Sequence, residues 1–587
     1  MRTFKNFSDE KVSLEFTMLY IQQTTARFRH MFKNIKFTHL RYYSANVIRS
    51  PFADVVIPNI CLPEFVLQSF TKHSNKTALE CVETGRKYTF EEVRKKSINL
   101  NKGLRKKFNT RKDDVVAIVL PNIPEYAICL LGSLLAHLRV TTVNPLATAV
   151  EIRRQLVDSS AETIFTTCSL ENHIRAVVSK IPKSILIVAI KTQATDVTPN
   201  NFISFNELVD TEVDTEDNIS TQYSTDTALI PYSSGTTGFQ KGVLHSHHAL
   251  IASACLINSP ETNIFEPATE SYQEVVPAIL PFFHLFGNSI HIISQLSLNC
   301  KLLTMPKFTL AGFVDLLKNH QPRFIYAVPL LVLYLTNSPF ITRNDLKSLQ
   351  YVMCGATRLS EKEEETFYNK VEGATQLIQM YGLTEAHTVT TNLKNNIIRN
   401  GSIGKPLQNT EVKVVPVNNV QGESLDLYEE GEILIKGPQI MKGYLNRPKE
   451  TSDSFVNGWL RTGDLGYYDE RNEFHLKDRL KDLIKVKGVQ VAPAELEELI
   501  QRYNPDITEA VVIGIPHSIY GEVPQAYITL KPNSKINLMD LDKFVTNNVS
   551  KHKRMLGGFQ IVDCIPKSTT GKYLRKELRN KYIKENM

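Results

Sequence analysis

A glycine-, serine- and threonine-rich stretch at residues 232–242 has the composition of a loop that binds phosphate groups. It reads Tyr-Ser-Ser-Gly-Thr-Thr-Gly-Phe-Gln-Lys-Gly and follows a strand predicted over 228–231. Glycines let backbone N–H groups surround anionic oxygens, and Lys241 adds a full positive charge. It is not a Walker A loop, because counting GxxxxGK from Gly235 places Gln240 where glycine is required. The pattern favours a triphosphate ligand, with a flexible surface loop as the alternative.

Two further stretches place polar residues beside apolar ones, and neither is diagnostic alone. Residues 280–287 set His284 between aromatic residues, where a core histidine with a satisfied hydrogen bond is the ordinary interpretation. Residues 379–385 end in Thr384 and Glu385, which alone would indicate a helix cap. A carboxylate such as Glu385 is also a ligand that Mg²⁺ prefers, together with phosphate oxygens.

Three charged stretches follow towards the C-terminus. Residues 458–466 set Asp464 among glycines as in a turn, although a carboxylate can also accept a hydrogen bond on each oxygen, as two ribose hydroxyls require. Residues 478–495 hold three closely spaced lysines, which are typical of a solvated face. Residues 566–575 contain Lys572 after a glycine, which alone could belong to a cationic tail.

In this order, over about residues 58–576, the six stretches resemble the signature blocks of the adenylate-forming (AMP-binding) superfamily. This superfamily includes acyl-CoA synthetases, 4-coumarate–CoA ligases, beetle luciferases and peptide-synthetase adenylation domains. The chain departs from the usual pattern at Phe239-Gln240, where Leu-Pro is common, at Met380, where glycine is frequent, and at Val489, where an aromatic residue is common. Met380 could narrow the acyl pocket.

The resemblance implies an α/β fold in two domains. A large N-terminal domain of parallel-rich sheets and helices is expected over 58–479, a hinge at Lys481 and Asp482 within 480–482, and a small, mobile α+β C-terminal domain over 483–587.

The resemblance also implies an acid–thiol ligase. ATP and Mg²⁺ activate a carboxylic acid to an acyl-adenylate with release of pyrophosphate, and CoA then accepts the acyl group. A medium-chain fatty or an aromatic, arylalkanoic acid is the expected substrate. A luciferase-like monooxygenase, a stand-alone enzyme that loads a carrier protein, and a non-catalytic nucleotide- or acyl-binding protein are the alternatives.

Individual roles are carried over onto matching positions. Tyr381 is expected to stack on adenine, Asp464 to accept the ribose hydroxyls, Glu385 to hold Mg²⁺ and Lys572 to be the C-terminal catalytic lysine. Further residues expected in catalysis are Lys241, His284 and Thr384. The residues expected to bind ATP or AMP are Ser233, Ser234, Gly235, Thr236, Thr237, Gly238, Lys241, Gly355, Ala356, Thr357, Tyr381, Gly382, Thr384, Asp464, Arg479, Lys485, Gln490 and Lys572. The acyl pocket is expected to be bordered by His284, Phe286, Met380, Gly382, Thr388 and Val389, and the CoA path by Lys487 and Gly488.

The elements that position these residues are predicted from periodicity and caps. Thr89 and Glu92 form a capping pattern at the start of a helix that reaches about Lys107. A buried strand is predicted over 113–120, a helix from about Pro124 and a further strand near 163–167. Residues 191–226 are polar and are expected to make a surface excursion. Strands that alternate with helices predict parallel sheets.

Composition excludes several classes of protein. The chain has 587 residues, so two or more domains are expected, and its net charge of +7 does not indicate nucleic-acid binding. Eight cysteines without a CxxC pair indicate buried thiols, not a disulfide framework or a zinc site. No apolar run approaches the roughly 18–20 residues of a membrane-spanning helix.

The N-terminal residues have the composition of a mitochondrial transit peptide. Residues 16–48 lack acidic side chains and are basic and amphipathic. We therefore expect a leader over 1–43, with processing before Ser44 and the enzyme in the matrix. A disordered basic tail on a cytoplasmic enzyme is the alternative, and Met18 could be the true start. The C-terminal sequence lacks a Ser-Lys-Leu peroxisomal address.

Overall fold

The computed structural model describes residues 46–210, 222–233, 240–357, 359, 361–371, 375–392, 401–487, 489–568 and 571–586. The leader predicted over 1–43, residues 234–239 of the phosphate-binding loop and Gly488 lie outside these residues. Within the described residues the strands form five sheets.

The first half of the chain builds a nine-stranded sheet whose core strands are parallel. Val115–Ile118 lies at its centre and is buried along its whole length. In sheet order the strands are Tyr232–Ser233, Lys241–Ser246, Thr227–Ile230, Arg139–Thr142, Val115–Ile118, Ala161–Thr167, Leu186–Ile190 and Ile203–Ser204, and Gly443–Tyr444 pairs with Lys241–Ser246.

Two neighbouring sheets carry several of the candidate residues at their strand ends. One has the order Val275–Ala278, Lys301–Thr304, Thr77–Cys81 and Lys87–Thr89. The other has the order Phe324–Ala327, Tyr351–Cys354, Gln376–Leu383, His387–Thr391 and Lys405–Pro406. In the second sheet the first three strands are parallel to one another, and each of the last two strands pairs antiparallel with the strand before it.

Helices cover these sheets. The helix Glu125–Leu135 is almost entirely buried and packs against Phe90–Phe108. The α-helices of the described residues are Leu62–Leu67, Phe90–Phe108, Glu125–Leu135, Ala149–Ser159, Glu171–Val178, Phe205–Val209, His247–Ile257, Leu285–Gly287, Leu310–His320, Pro329–Asn337, Glu361–Val371, Pro448–Asp453, Pro493–Tyr503, Leu538–Asn548 and Arg575–Asn586. A π-helix, Asn288–Gln295, continues directly from Leu285–Gly287.

Two antiparallel-rich sheets complete the molecule. The first consists of Ile48–Arg49, Glu411–Val415, Gly431–Lys436, Trp459–Tyr468, Phe455–Val456 and Phe474–Arg479. The second belongs to the C-terminal part and consists of Val489–Val491, Ile484–Val486, Gly521–Leu530, Ile507–His517 and Phe559–Ile561. The chain passes from one sheet to the other through residues 480–483, so the C-terminal part has a sheet of its own.

The predicted fold class is confirmed, and so are the elements predicted from caps and periodicity. Thr89 and Glu92 form a complete capping box at the start of Phe90–Phe108. The strands predicted over 113–120 and 163–167 are Val115–Ile118 and Ala161–Thr167.

The expectation of a surface excursion over 191–226 holds for the largely exposed residues 191–201 but is wrong for residues 202–209. Ile203–Ser204 adds a strand to the nine-stranded sheet, and the helix Phe205–Val209 buries Phe205, Leu208 and Val209. Three apolar residues in a polar stretch are too few to give a periodic signal, yet each fills the core. Within the described residues, no helix is both long and apolar enough to cross a membrane.

Candidate active site

A cavity of about 1540 Å³ lies between the large N-terminal part and the small C-terminal part. Most of the candidate residues line this cavity, although they are spread over more than 300 positions of sequence. These are Ser233, Lys241, His284, Ala356, Thr357, Met380, Tyr381, Gly382, Thr384, Glu385, Asp464, Arg479, Lys481, Asp482 and Lys572.

One wall of the cavity is built around the buried carboxylate of Asp464. The hydroxyl of Tyr381 donates a hydrogen bond to Asp464 Oδ2 at 2.7 Å, and Arg479 Nε lies 2.8 Å from Asp464 Oδ1. Asp464 and Arg479 face each other in register on two antiparallel strands, Trp459–Tyr468 and Phe474–Arg479. The carboxylate is therefore held rigidly, with both oxygens in contact with fixed donors.

A second wall brings together Ser233, Glu385 and Tyr444. The Ser233 hydroxyl donates to Glu385 Oε1 at 2.9 Å, and the Tyr444 hydroxyl donates to the same oxygen at 3.0 Å. The ammonium of Lys241 lies 5.1 Å from the centre of the Tyr444 ring, within the range of a cation–π interaction. Lys241 pairs directly with Ser233 across two antiparallel strands. A lysine and a carboxylate thus flank the residues that lead into the phosphate-binding loop.

The turn that carries Thr384 and Glu385 is tight. It is a three-residue connection between Gln376–Leu383 and His387–Thr391, and a Cβ on Gly382 would lie 2.0 Å from the backbone oxygen of His387. A side chain at position 382 would therefore force the two strands apart. His387 has a φ of +53° in this turn, a conformation that costs a residue other than glycine about 1–2 kcal/mol.

His284 lies at the end of a loop that two side chains, Asn122 and Thr142, hold by hydrogen bonds to its backbone. Asn122 donates to the backbone oxygens of Ala278 and Leu280 and accepts from the backbone N–H of Phe282. Thr142 donates to the backbone oxygen of Phe283 at 2.7 Å. Burial, reinforced by the positive charge of Lys572, lowers the pKa of His284 to about 4, so the imidazole is neutral at neutral pH.

Lys572 enters the cavity from the C-terminal part. Its backbone N–H donates to the Ser568 hydroxyl at 3.1 Å, in a turn that contains Gly571 at a φ of +81°. Burial and the charge of Arg479 lower the pKa of Lys572 to about 8, although the charges of Asp464 and Glu385 act to raise it. The amine is therefore close enough to Asp464 and to Glu385 for both carboxylates to affect its pKa.

Contacts between the two parts hold this arrangement. Asp478 Oδ2 accepts a hydrogen bond from the backbone N–H of Ala494 at 2.9 Å, at the start of the helix Pro493–Tyr503. Lys362 donates to the backbone oxygen of Gln501 at 2.9 Å. Burial raises the pKa of Asp478 to about 6, against the opposing charge of Arg575.

Three candidates that the structure describes, Lys485, Lys487 and Gln490, do not line the cavity. Lys485, Lys487 and Gln490 are exposed on the hairpin of the strands Ile484–Val486 and Val489–Val491, and the Lys487 ammonium lies 4.5 Å from the centre of the Tyr520 ring. The expectation that Lys485 and Gln490 face the adenylate is not met in this arrangement, because the hairpin points to solvent while Lys572 occupies the cavity.

Three of the residues expected in the acyl pocket, and one expected near adenine, also lie behind the wall. Val389 is fully buried in the core, Thr388 is buried, and Phe286 packs edge-on against Tyr326 at 6.3 Å between ring centres. Gly355 is covered by Phe286, whose ring would lie 3.3 Å from a Cβ at that position. Of the expected acyl-pocket residues, His284, Met380 and Gly382 line the cavity.

Tyr444 and Asn122 are site residues that the sequence analysis missed. Tyr444 is 59 positions from its partner Glu385, and Asn122 is more than 150 positions from the loop that it clamps. Spacing along the chain carries no signal at such separations.

The model of the AMP-binding enzyme family matches residues 66–445 of this chain. The chain belongs to the AMP-binding enzyme family. The model of the AMP-binding enzyme C-terminal domain matches residues 495–572, which end at Lys572.

The similarity to other members of the family extends over about nine-tenths of this chain. A Dictyostelium discoideum protein named "Probable 4-coumarate--CoA ligase 3" is 33% identical over 90% of this chain and 97% of its own. The 4-coumarate–CoA ligase 3 of Oryza sativa subsp. japonica is 34% identical over 91% and 94%. A solved benzoate CoA ligase from Burkholderia xenovorans shares the fold, with a TM-score of 0.77, 22% identity and coverage of 89% and 100%. The protein is an AMP-forming CoA ligase, which activates a carboxylic acid with ATP and forms a CoA thioester.

Proposed function

We propose that the cavity is the adenylation site and that the structure's arrangement of the two parts is the one that makes the acyl-adenylate. The observation that carries this proposal is the position of Lys572, which shares one cavity with His284, Glu385 and Asp464 although it belongs to the C-terminal part. A lysine in this position can reach both the acid and the α-phosphate of a nucleotide whose ribose lies at Asp464.

The nucleotide is held from three sides. Asp464 accepts the ribose hydroxyls, Tyr381 and the residues Ala356 and Thr357 border the adenine, and Thr384 donates to a phosphate oxygen. The β- and γ-phosphates are assigned to the loop 234–238 by its composition alone, since these positions lie outside the described residues. Asp464 suits its role because the bonds from Tyr381 and Arg479 fix its carboxylate before the nucleotide arrives.

The first step is an attack of the substrate carboxylate oxygen on the α-phosphorus of ATP. A P–O bond forms to the acid, the bond to the β-phosphate breaks, and pyrophosphate leaves with the electron pair. Negative charge gathers around phosphorus, so Lys572 and Lys241 stabilise the transition state electrostatically. His284 is neutral and lies near Lys572, so it can position the carboxylate without neutralising it.

Mg²⁺ fits the site through Glu385. The described residues contain no cluster of three or more potential metal ligands, and a single carboxylate at a phosphate site is the usual protein contribution to Mg²⁺ binding. Glu385 lines the cavity with its Oε1 fixed by Ser233 and Tyr444. When bound there, Mg²⁺ supplies positive charge that offsets the charge of the phosphate oxygens.

The second step uses another face of the C-terminal part. The thiol of CoA attacks the acyl carbon, the thioester bond forms, and AMP leaves. We propose that rotation about Lys481 and Asp482 withdraws Lys572 and brings Lys487 and Gly488 to the path of the thiol. Domain closures of this kind set the rate of many enzymes.

We further propose an aromatic or arylalkanoic acid as the substrate, with a medium-chain fatty acid as the competing class. The curated relatives named for 4-coumarate support this proposal, and so do the apolar residues Phe283, Leu330, Leu333 and Met380 among those that line the cavity. Met380 lines the same cavity as His284 and would limit the width of the acid.

The test is acid-dependent release of pyrophosphate from ATP and Mg²⁺, with short, medium, long and aromatic acids, each with and without CoA. The proposal predicts release with aromatic or arylalkanoic acids and acyl-CoA when CoA is added. Release of pyrophosphate only with fatty acids would show that the substrate is a fatty acid and not an aromatic acid. Release without any thioester would indicate a carrier protein or O₂ as the second reactant, and no release with any acid would contradict the proposal.

We propose that the enzyme acts in the mitochondrial matrix. The basic, acid-poor composition of residues 16–48 supports this location. Import of the full chain into isolated mitochondria, followed by N-terminal sequencing, should give a product that starts near Ser44. An unprocessed chain outside the organelle would favour the cytoplasm.

A further inference from the structure

Two buried histidines contact each other directly behind the turn that carries Thr384 and Glu385. His245 lies on the strand Lys241–Ser246, and His387 begins the strand His387–Thr391. Their rings meet edge to face at 4.5 Å between centres, and His387 Nε2 lies 3.2 Å from His245 Nδ1. His245 Nε2 in turn lies 2.7 Å from the backbone oxygen of Thr384.

The network fixes the direction of both hydrogen bonds. The Thr384 oxygen can only accept, so His245 Nε2 carries a proton and donates it. Both rings are buried, and burial disfavours the charged imidazolium form. His245 Nδ1 is therefore unprotonated and accepts a hydrogen bond from His387 Nε2. The remaining ring nitrogen, His387 Nδ1, is an acceptor that has no hydrogen-bond partner among the described residues. A buried acceptor without a partner is tolerated more readily than a buried donor.

The backbone at His387 gives a second, independent observation. His387 lies directly after the three-residue connection, with a φ of +53°, where hairpins of this type favour glycine. A histidine occupies this position although its left-handed backbone conformation is unfavourable for residues other than glycine, and its side chain contacts His245. The contact between the two side chains, and not the turn geometry, accounts for a histidine at this position.

The pair ties together two elements that carry the proposed adenylation residues. The strand of His245 begins at Lys241, and the turn held by His245 contains Thr384 and Glu385. On the other side of the turn, the backbone N–H of Met441 donates to the Glu385 backbone oxygen at 2.8 Å. The turn is thus clamped from two sides, and the histidines supply the clamp nearest to Thr384.

We propose that His245 and His387 are positioning residues that set the separation between the Lys241 strand and the Thr384–Glu385 turn for acyl-adenylate formation. This inference rests on the adenylation roles of Thr384 and Glu385 in the proposed function. Neither histidine contacts the substrates, so both act through the turn.

The test compares the two half-reactions in His245→Leu and His387→Gly. Acid-dependent ATP–pyrophosphate exchange should lose about 10- to 100-fold in kcat, because a small misplacement of catalytic groups costs rates of that order, while KM for ATP changes little. Thioester formation from a preformed acyl-adenylate and CoA should stay much closer to the wild-type rate. His387→Gly is the sharper variant, since glycine suits the backbone at this position and the side chain alone is lost.

A matched control is His247→Leu. His247 is buried like His245, but it accepts from the backbone N–H of Leu62, and within the described residues it has no hydrogen bond to the catalytic turn. It should lower the melting temperature without separating the two half-reactions. His245→Gln should recover most of the exchange rate, because its amide can donate to Thr384 and accept from His387 as the imidazole does.

The inference is overturned if both half-reactions fall equally in His387→Gly and His245→Leu, or if His247→Leu shows the same split. Glu385→Gln separates this failure from that of the proposed function. If Glu385→Gln lowers exchange but the histidine variants do not, only the positioning role fails; if Glu385→Gln leaves exchange intact, the proposed role of the turn fails first.

Discussion

The small C-terminal part presents two basic surfaces that differ in their surroundings. The segment around Lys572 is packed into the cavity between Asp464 and His284, and its amine has a lowered pKa. The hairpin around Lys487 is exposed, and the Lys487 ammonium lies over the Tyr520 ring at 4.5 Å from its centre. Two lysines on one small unit therefore face the site and the solvent respectively, as expected of an enzyme that uses one surface for each half-reaction.

The largest expected effect is that of Lys572→Ala. Removal of a preorganised charge from an enclosed site should lower acyl-adenylate formation by about 10²–10³-fold. Thioester formation from synthetic acyl-adenylate should remain largely intact. Pyrophosphate exchange measures the first step, and CoA consumption with the adenylate measures the second. Equal losses in both would remove the contrast between the two surfaces.

Asp464→Ala should mainly raise KM for ATP. Loss of hydrogen bonds to a charged group costs about 1.5–3 kcal/mol each, which corresponds to roughly 10- to 100-fold. The variant also leaves Arg479 and Tyr381 without their buried partner. Asp464→Asn, which keeps one acceptor oxygen, should give a smaller increase. An unchanged dependence on ATP would remove Asp464 from the ribose site.

Lys487→Ala tests the exposed surface and should reverse the pattern of Lys572→Ala. Thioester formation should fall by about tenfold, because one solvent-exposed charge acts through a high dielectric, while pyrophosphate exchange stays close to the wild-type rate. Lys485→Ala on the same hairpin is the comparison variant. A loss of exchange in Lys487→Ala would show that the hairpin takes part in the first step.

The smallest effect is the pH dependence of the first step. Lys572 must be protonated to stabilise the phosphate charge, and its pKa in the free enzyme is lowered to about 8. Because the pKa of Lys572 is lowered to about 8, its amine is charged well below pH 8, half charged at pH 8 and neutral well above it. The value of kcat/KM for ATP, which reports the free enzyme, should therefore halve near pH 8 and fall further at higher pH. The Lys572→Ala variant should lack this descending limb.

The sequence predicted the fold class and fifteen of the residues that line the cavity, because the signature stretches are local and contiguous. Lys572, Asp464 and Thr384 each belong to a short block that can be recognised without knowing its neighbours. Tyr444 could not be found in this way, since its contacts to Glu385 and Lys241 arise only when distant strands pair.

The acyl pocket was the least predictable region. Val389 lies in a strand whose side chains are all buried, so its direction depends on the packing of two sheets and not on its position after Glu385. Lys485 and Gln490 show a different limit. Their place relative to the cavity depends on how the C-terminal part is oriented, which a local motif does not encode.

The most direct test of the account is a single-turnover experiment with wild-type enzyme, ATP, Mg²⁺ and an accepted acid in the absence of CoA. We predict a burst of pyrophosphate that matches the enzyme concentration, with acyl-adenylate retained on the enzyme, followed by stoichiometric AMP and acyl-CoA when CoA is added. Pyrophosphate that appears only after CoA is added would contradict an adenylation site that is complete before the C-terminal part rotates.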